Sequence, residues 1–249
     1  LIPKKFSLDN YQFLFSSECN FFTWYLNTLE IASISAVLQT LIVLSVSYAL
    51  SRIRFRGRKL IMNLILVLGM FPGFLTMICL YFLLRTLGLT QEGAIPGLIL
   101  VYVASSGMGY YISKGFFDTI PKSLDESARI DGATRFQVFR AIIMPLSKPV
   151  YSVVILNTFM ACYNQFIFPL ILLPDSKNWT IMVRIYAIQG SSSATWNQIM
   201  VLLGCATVPV LICYIAAQKY IVQGISMSGL AIAALVGILM NAILPGKDY

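Results

Sequence analysis

Long apolar runs separated by short polar segments dominate the chain. Five of them, at 28–51, 60–84, 94–116, 148–172 and 197–217, carry few charges. Each is near the length a helix needs to cross about 30 Å of hydrocarbon at 1.5 Å per residue. A membrane barrel would instead alternate polar and apolar residues along each strand. The pattern predicts an all-α integral membrane protein, a polytopic helical bundle. A sixth run at 225–244, ISMSGLAIAALVGILMNAIL, is long enough to span but rich in Gly, Ala and Ser, so its crossing stays open. No repeat, low-complexity tract or soluble domain interrupts the series, and one membrane domain over 1–249 is expected.

Charge orients the bundle. The loop SRIRFRGRK carries Arg52, Arg54, Arg56, Arg58 and Lys59 with no acid, and the segment at 114–148 also has a basic excess. By the positive-inside tendency both face the cytoplasm. The loops at 85–93 and 173–196 are charge-poor and fall on the opposite side, near Trp24, Trp179 and Trp196, indoles suited to the headgroup level.

Composition narrows the chemistry. Of 249 residues, 58% are hydrophobic and 11% charged, and the net charge is +8. That charge sits in short loops rather than on a basic soluble face, so no nucleic-acid partner is expected. Histidine is absent, which removes imidazole metal sites and histidine bases. The five cysteines form no C-x-x-C pair, and the four in apolar runs read as buried thiols. No G-x-x-x-x-G-K-[ST] cradle for a nucleotide occurs, so neither a cofactor nor a metal is expected in this chain. No catalytic residues stand out, as the acids near the apolar runs are isolated from one another.

The polar segment at 117–147 is the exception among apolar runs. Pro121 and Ser123 open a helix, and Ser123 with Glu126 has capping-box spacing. Gly132 permits a sharp turn. A second short helix then offers Phe136, Phe139 and Ile143 at i, i+3 and i+7 as an apolar stripe. Such a pair can lie on a bilayer or fill a groove on a partner. An interfacial anchor wants a densely basic polar face, whereas this one mixes Asp125, Glu126 and Asp131 with Arg129 and Arg135. Protein docking is favoured.

These residues resemble the coupling loop of ABC-importer permeases: Glu-Ala-Ala, three residues, Gly, nine residues, Ile-x-Leu-Pro. Here the pattern stands as Glu126-Ser127-Ala128, Gly132 and Ile142-Ile143-Met144-Pro145, with Ser127 for alanine and Met144 for leucine. The likeness extends over about nine-tenths of the chain through YALSRIRFRGRK, KGFFDTIPKSLDESARIDGA, IIMPLSKP and QKYIVQGIS. It is strongest to the second permease of carbohydrate importers of the maltose and maltodextrin type. Those have six spans, and the five here look like the last five. The end LAIAALVGILMNAILPGKDY departs from the family.

The resemblance implies a permease in a prokaryotic cytoplasmic membrane, paired with a second permease subunit. A cytoplasmic ATP-binding subunit dimer would carry the ATPase activity, and an extracytoplasmic solute-binding protein would deliver a carbohydrate. Contact with the ATPase would fall on Glu126, Ser127, Ala128, Arg129, Asp131, Gly132, Phe136, Phe139 and Pro145. A non-sugar cargo and a non-transporting scaffold are the alternatives.

A substrate pathway is sought among polar residues inside the runs, which are costly in lipid and tend to face a cavity. Asn157, Tyr163, Asn164 and Gln165 are the candidates, with Pro169 breaking the helix beyond them; interhelical hydrogen bonding is the competing reading. Tyr102, Tyr110 and Tyr111 are possible stacking platforms.

Overall fold

An apolar run becomes a straight span only if nothing in it interrupts the i→i−4 ladder, and that condition separates the helices here. The computed structural model describes residues 9–15, 20–91, 93–189 and 196–218, and among them no strand occurs. The helices are α1 (Asp9–Leu14), α2 (Phe21–Arg52), α3 (Arg58–Gly69), α4 (Gly73–Thr86), α5 (Ala94–Ala104), α6 (Gly107–Thr119), α7 (Lys122–Ile130), α8 (Arg135–Val138), α9 (Met144–Leu146), α10 (Lys148–Asn164), α11 (Ile167–Leu172) and α12 (Ile181–Gln189). Trp196–Gln218 forms α13. The run at 225–244, the QKYIVQGIS segment beyond Gln218 and Cys19 lie outside the described residues.

Two of these, α2 with 32 residues and α13 with 23, are long and apolar enough to cross a membrane alone. The other expected spans are broken. The run at 60–84 is two helices, α3 and α4, bent by 102°. Pro72 lies at the break and lacks an N–H, with Gly69 and Gly73 as weak helix formers on either side. The run at 94–116 breaks at Ser105 and Ser106. The run at 148–172 breaks at Gln165 and Phe166, four residues before Pro169, whose ring would meet the Gln165 carbonyl in a continuous helix. Pro169 therefore sits inside α11 rather than at the break.

The central element is α2. Its buried residues, among them Thr28, Ala32, Ser35, Ala36, Val43 and Ser47, recur every three or four positions. Leu26, Ile34, Val37, Leu38 and Leu41 are exposed. Small and polar side chains thus face the neighbouring helices and large apolar ones face outward, as expected where lipid is the solvent. The inward face packs on α5, α6 and α10.

Packing gathers into two clusters. One surrounds Trp24, Ile31, Tyr163, Phe168 and Ile181. The other, around Leu44, Phe117, Ile120, Val138 and Ile143, holds the 117–147 segment against α2. In the first, the Trp24 indole is buried and donates to the Ser176 carbonyl at 2.8 Å, with the Arg184 guanidinium 4.6 Å above its ring. Trp179 donates to the Leu173 carbonyl at 3.1 Å. The Trp24 indole thus ties the loop to α2 and the Trp179 indole closes the loop on itself, while Trp196 is exposed.

Candidate functional site

The 117–147 segment is built from local signals that agree with one another. Pro121 precedes α7 and no side chain caps the helix start. Because Lys122 is the first helical residue, Ser123 lies inside the helix and the expected Ser123–Glu126 capping box does not form. Glu126 is exposed and has no hydrogen bond or ion pair among the described residues.

The end of α7 is a Schellman turn. The Gly132 N–H donates to the Arg129 carbonyl at 3.1 Å and the Ala133 N–H to the Ala128 carbonyl at 2.9 Å, the 5→2 and 6→1 pair of that motif. Gly132 sits at φ 87°, where a Cβ is disfavoured. Ala128 and Ala133 both pack against the second cluster. Ser127 and Arg129 are exposed, as are Asp131 and Pro145.

The capping box lies one helix later. The Gln137 N–H donates to Thr134 Oγ1 at 3.3 Å and the Thr134 N–H to Gln137 Oε1 at 2.7 Å. A π turn at Phe139–Ile143 follows, directly ahead of Pro145, which has no N–H to return to Ala141. At Ser147 the chain turns by 80° into α10.

The expected Phe136–Phe139–Ile143 stripe divides. The Phe139 ring lies 4.8 Å from that of Tyr48, tilted by 44°, and Ile143 is buried, but Phe136 is 68% exposed. The buried face is centred on Val138 and Ile143, with Phe139 and Ile142 partly buried beside them. Leu124 and Ile130 are exposed as well, Ile130 by 86%, so an otherwise polar helix pair presents three large apolar side chains outward.

Sequence reasoning missed what anchors this element. Arg52, the last residue of α2, ion-pairs with Asp125 at 3.0 Å and donates to the Ile120 carbonyl at 2.7 Å. Ser51 donates to Asp118 at 2.6 Å, and Lys114 pairs with the same carboxylate. The basic loop and the acids of 117–147 were both visible, but not their meeting.

Within the spans, a cavity of about 310 Å³ brings Asn157 and Gln165 together with Gln39, Tyr102, Ser105 and Thr158. The Tyr102 hydroxyl is buried there without a hydrogen-bond partner among the described residues. Two of the four pathway candidates are elsewhere: Tyr163 is buried and donates to the Ala206 carbonyl at 2.7 Å, and Asn164 is exposed outside this cavity. Tyr111 donates to the Met62 carbonyl and Tyr110 receives a bond from Ser47 at its carbonyl, so of the three tyrosines only Tyr102 lines the cavity.

The arrangement is that of a membrane bundle carrying an anchored helix–turn–helix with an apolar outer face. The family model described as binding-protein-dependent transport system inner membrane component matches residues 41–227. The chain belongs to that family. This permease is 34% identical over 236 residues to the galactooligosaccharides transport system permease protein GanQ of Bacillus subtilis, covering 92% of this chain and 82% of the relative. It is 30% identical over 213 residues to the maltose/maltodextrin transport system permease protein MalG of Escherichia coli K12, covering 83% and 71%. Its fold matches a chain of a bacterial ABC transporter involved in import of the acidic polysaccharide alginate, with a TM-score of 0.78 at 22% identity over 89% of this chain and 82% of that one. The MetNI methionine ABC transporter in an inward-facing conformation gives a TM-score of 0.60 at 17% identity, over 78% and 91%. As an inner-membrane component of a binding-protein-dependent system, the permease is one part of an assembly.

Proposed function

We propose that this permease is one of two membrane subunits of an ATP-driven carbohydrate importer, with an oligosaccharide as cargo. A cytoplasmic ATP-binding dimer supplies the energy, and an extracytoplasmic solute-binding protein delivers the sugar. The observation that carries the reading is the α7–Gly132–α8 element. It exposes Leu124, Ile130 and Phe136 while Arg52–Asp125 fixes it to the end of α2. Exposed apolar side chains on a polar helix pair are suited to a protein groove, and a partner's movement there reaches α2 through the ion pair. A conformational change is driven only through contacts that differ between states, and this element has the exposed surface to make them. The hydrolytic step belongs to the partner, since this chain has no phosphate-binding loop of that kind.

Sugar as the cargo rests on the oligosaccharide transport named for its relatives and on the polar cavity at Gln39, Tyr102, Asn157 and Gln165. Amide and phenol groups that match hydroxyl donors and acceptors suit an uncharged polyhydroxy solute. The test is uptake into proteoliposomes holding the complete transporter and its binding protein, across a panel of α- and β-linked oligosaccharides, amino acids and peptides. ATP-dependent accumulation of one oligosaccharide class is the expected outcome. Uptake of amino acids or peptides alone would replace the cargo, and ATP-independent behaviour throughout would reduce the chain to a scaffold.

A further inference from the structure

Where α2 ends and α7 begins, a recess of about 440 Å³ collects six cations, Arg52, Arg54, Arg58, Lys122, Arg129 and Arg135, against two carboxylates, Asp125 and Glu126. Asp125 is taken by Arg52, so five cations face one remaining acid. The Arg52 side chain is only 5% exposed, and its Nη1 has no hydrogen-bond partner among the described residues. Two helices, α3 and α7, start at lining residues Arg58 and Lys122, and neither start carries a side-chain cap. Unpaired N–H groups and the positive end of a helix dipole add to the same field. Like charges gathered in a partly enclosed site raise one another's energy unless an anion joins them.

We propose that this recess binds the headgroup phosphate of an anionic phospholipid. The flank decides for a lipid over a soluble anion. From Arg58 onward α3 has no buried residue, and Leu60, Ile61 and Leu64 are exposed, an apolar surface beginning beside the recess along which acyl chains can lie. Basic pockets of this kind at the cytoplasmic side of membrane helices suit anionic headgroups. The recess adjoins the apolar docking surface without coinciding with it. Lys122, Asp125 and Arg129 share one face of α7 at i, i+3 and i+7, Ser123, Ser127 and Ile130 lie on the adjoining face, and Glu126 stands at the border between the two. A lipid bound there would stiffen the joint between α2 and α7, and this holds whatever the cargo is.

The experiment takes the complete transporter in nanodiscs of mixed phosphatidylcholine and phosphatidylglycerol, with retained lipid counted by native mass spectrometry. Wild type retains phosphatidylglycerol preferentially. The Arg54→Gln/Arg58→Gln double variant loses that retention by about tenfold or more. Arg56→Gln/Lys59→Gln removes the same charge from the same loop outside the recess and keeps it. Equal loss in both doubles would mean general surface charge, and no loss in either would mean no site; both outcomes overturn the proposal. So would displacement of the lipid by millimolar inorganic phosphate, which marks a soluble-anion site. Shedding of the ATP-binding subunit by the first double with lipid retention unchanged would assign the recess to an acidic protein partner instead.

Discussion

Gly132 is held by its backbone and not by crowding. Its φ of 87° lies in the left-handed region, yet a Cβ there would meet nothing within 4 Å. Bulk as such is tolerated; the strain belongs to the dihedral angle. Gly132→Asn should therefore cost about 1 kcal/mol, since asparagine enters this region comparatively easily. Gly132→Val should approach about 3 kcal/mol and loosen the α7–α8 turn. Coupled ATP hydrolysis in the reconstituted transporter should fall in the order glycine, asparagine, valine while membrane insertion stays intact; identical activity for all three would show that the turn is dispensable. Glu126 gains a sharper role from the missing cap. With Ser123 inside the helix and no partner for the carboxylate, Glu126→Gln should leave the stability of the isolated permease within about 0.5 kcal/mol. On the proposed coupling role, its cost should appear in the complex, as a loss of about 1.5–3 kcal/mol, the size of one charge-assisted hydrogen bond. Ser123→Ala is the control, and equal small losses in ATP hydrolysis from both variants would remove Glu126 from the coupling surface.

At the scale of the element, α7, α8 and the π turn after them divide their apolar residues between two tasks. Ala128, Val138, Phe139 and Ile143 face the second cluster, while Ile130 and Phe136 face away. Ile130→Asp therefore leaves the permease's own packing untouched. It should weaken association with the ATP-binding subunit by about 2 kcal/mol or more if the residue is an anchor of that interface. Co-purification of the two subunits over a salt series measures this; full retention of the partner would place the docking surface elsewhere. The 117–147 segment was legible in its parts because capping, left-handed turns and proline breaks are short-range. The Gly132 turn was recognised from one residue type. The capping box was assigned one helix too early, because Ser-x-x-Glu and Thr-x-x-Gln are equivalent as patterns and only the backbone shows which serine or threonine precedes its helix.

For the whole molecule, topology is the open measurement. Cysteines at Arg56 and Thr134, both exposed, in a background without the native five, should resist an impermeant thiol reagent in intact cells. A cysteine at Lys177, exposed on the loop that receives the bond from Trp24, should label. Labelling of either of the first two from outside would invert the assigned orientation. The straight α2 is what makes such an arrangement mechanically useful. Its 32 residues extend about 48 Å, so one end carries the Trp24–Ser176 contact and the other meets Asp125.

Some properties follow from sequence alone because they depend on sums and short spacings. The membrane class rests on the length of the apolar runs, and family membership rests on the Glu126-to-Pro145 spacing. Continuity of the helices was less legible, since hydropathy averages over Pro72 and over Gln165–Phe166 and so hides the breaks. Tertiary structure alone decided which polar groups meet. Arg52 finds Asp125, Tyr163 finds Ala206, and Gln39 and Tyr102 join Asn157 and Gln165 in one cavity. Each meeting joins different helices, and pairing across helices depends on the rotation and crossing of whole elements, which the packing of small residues along α2 sets and no local pattern encodes.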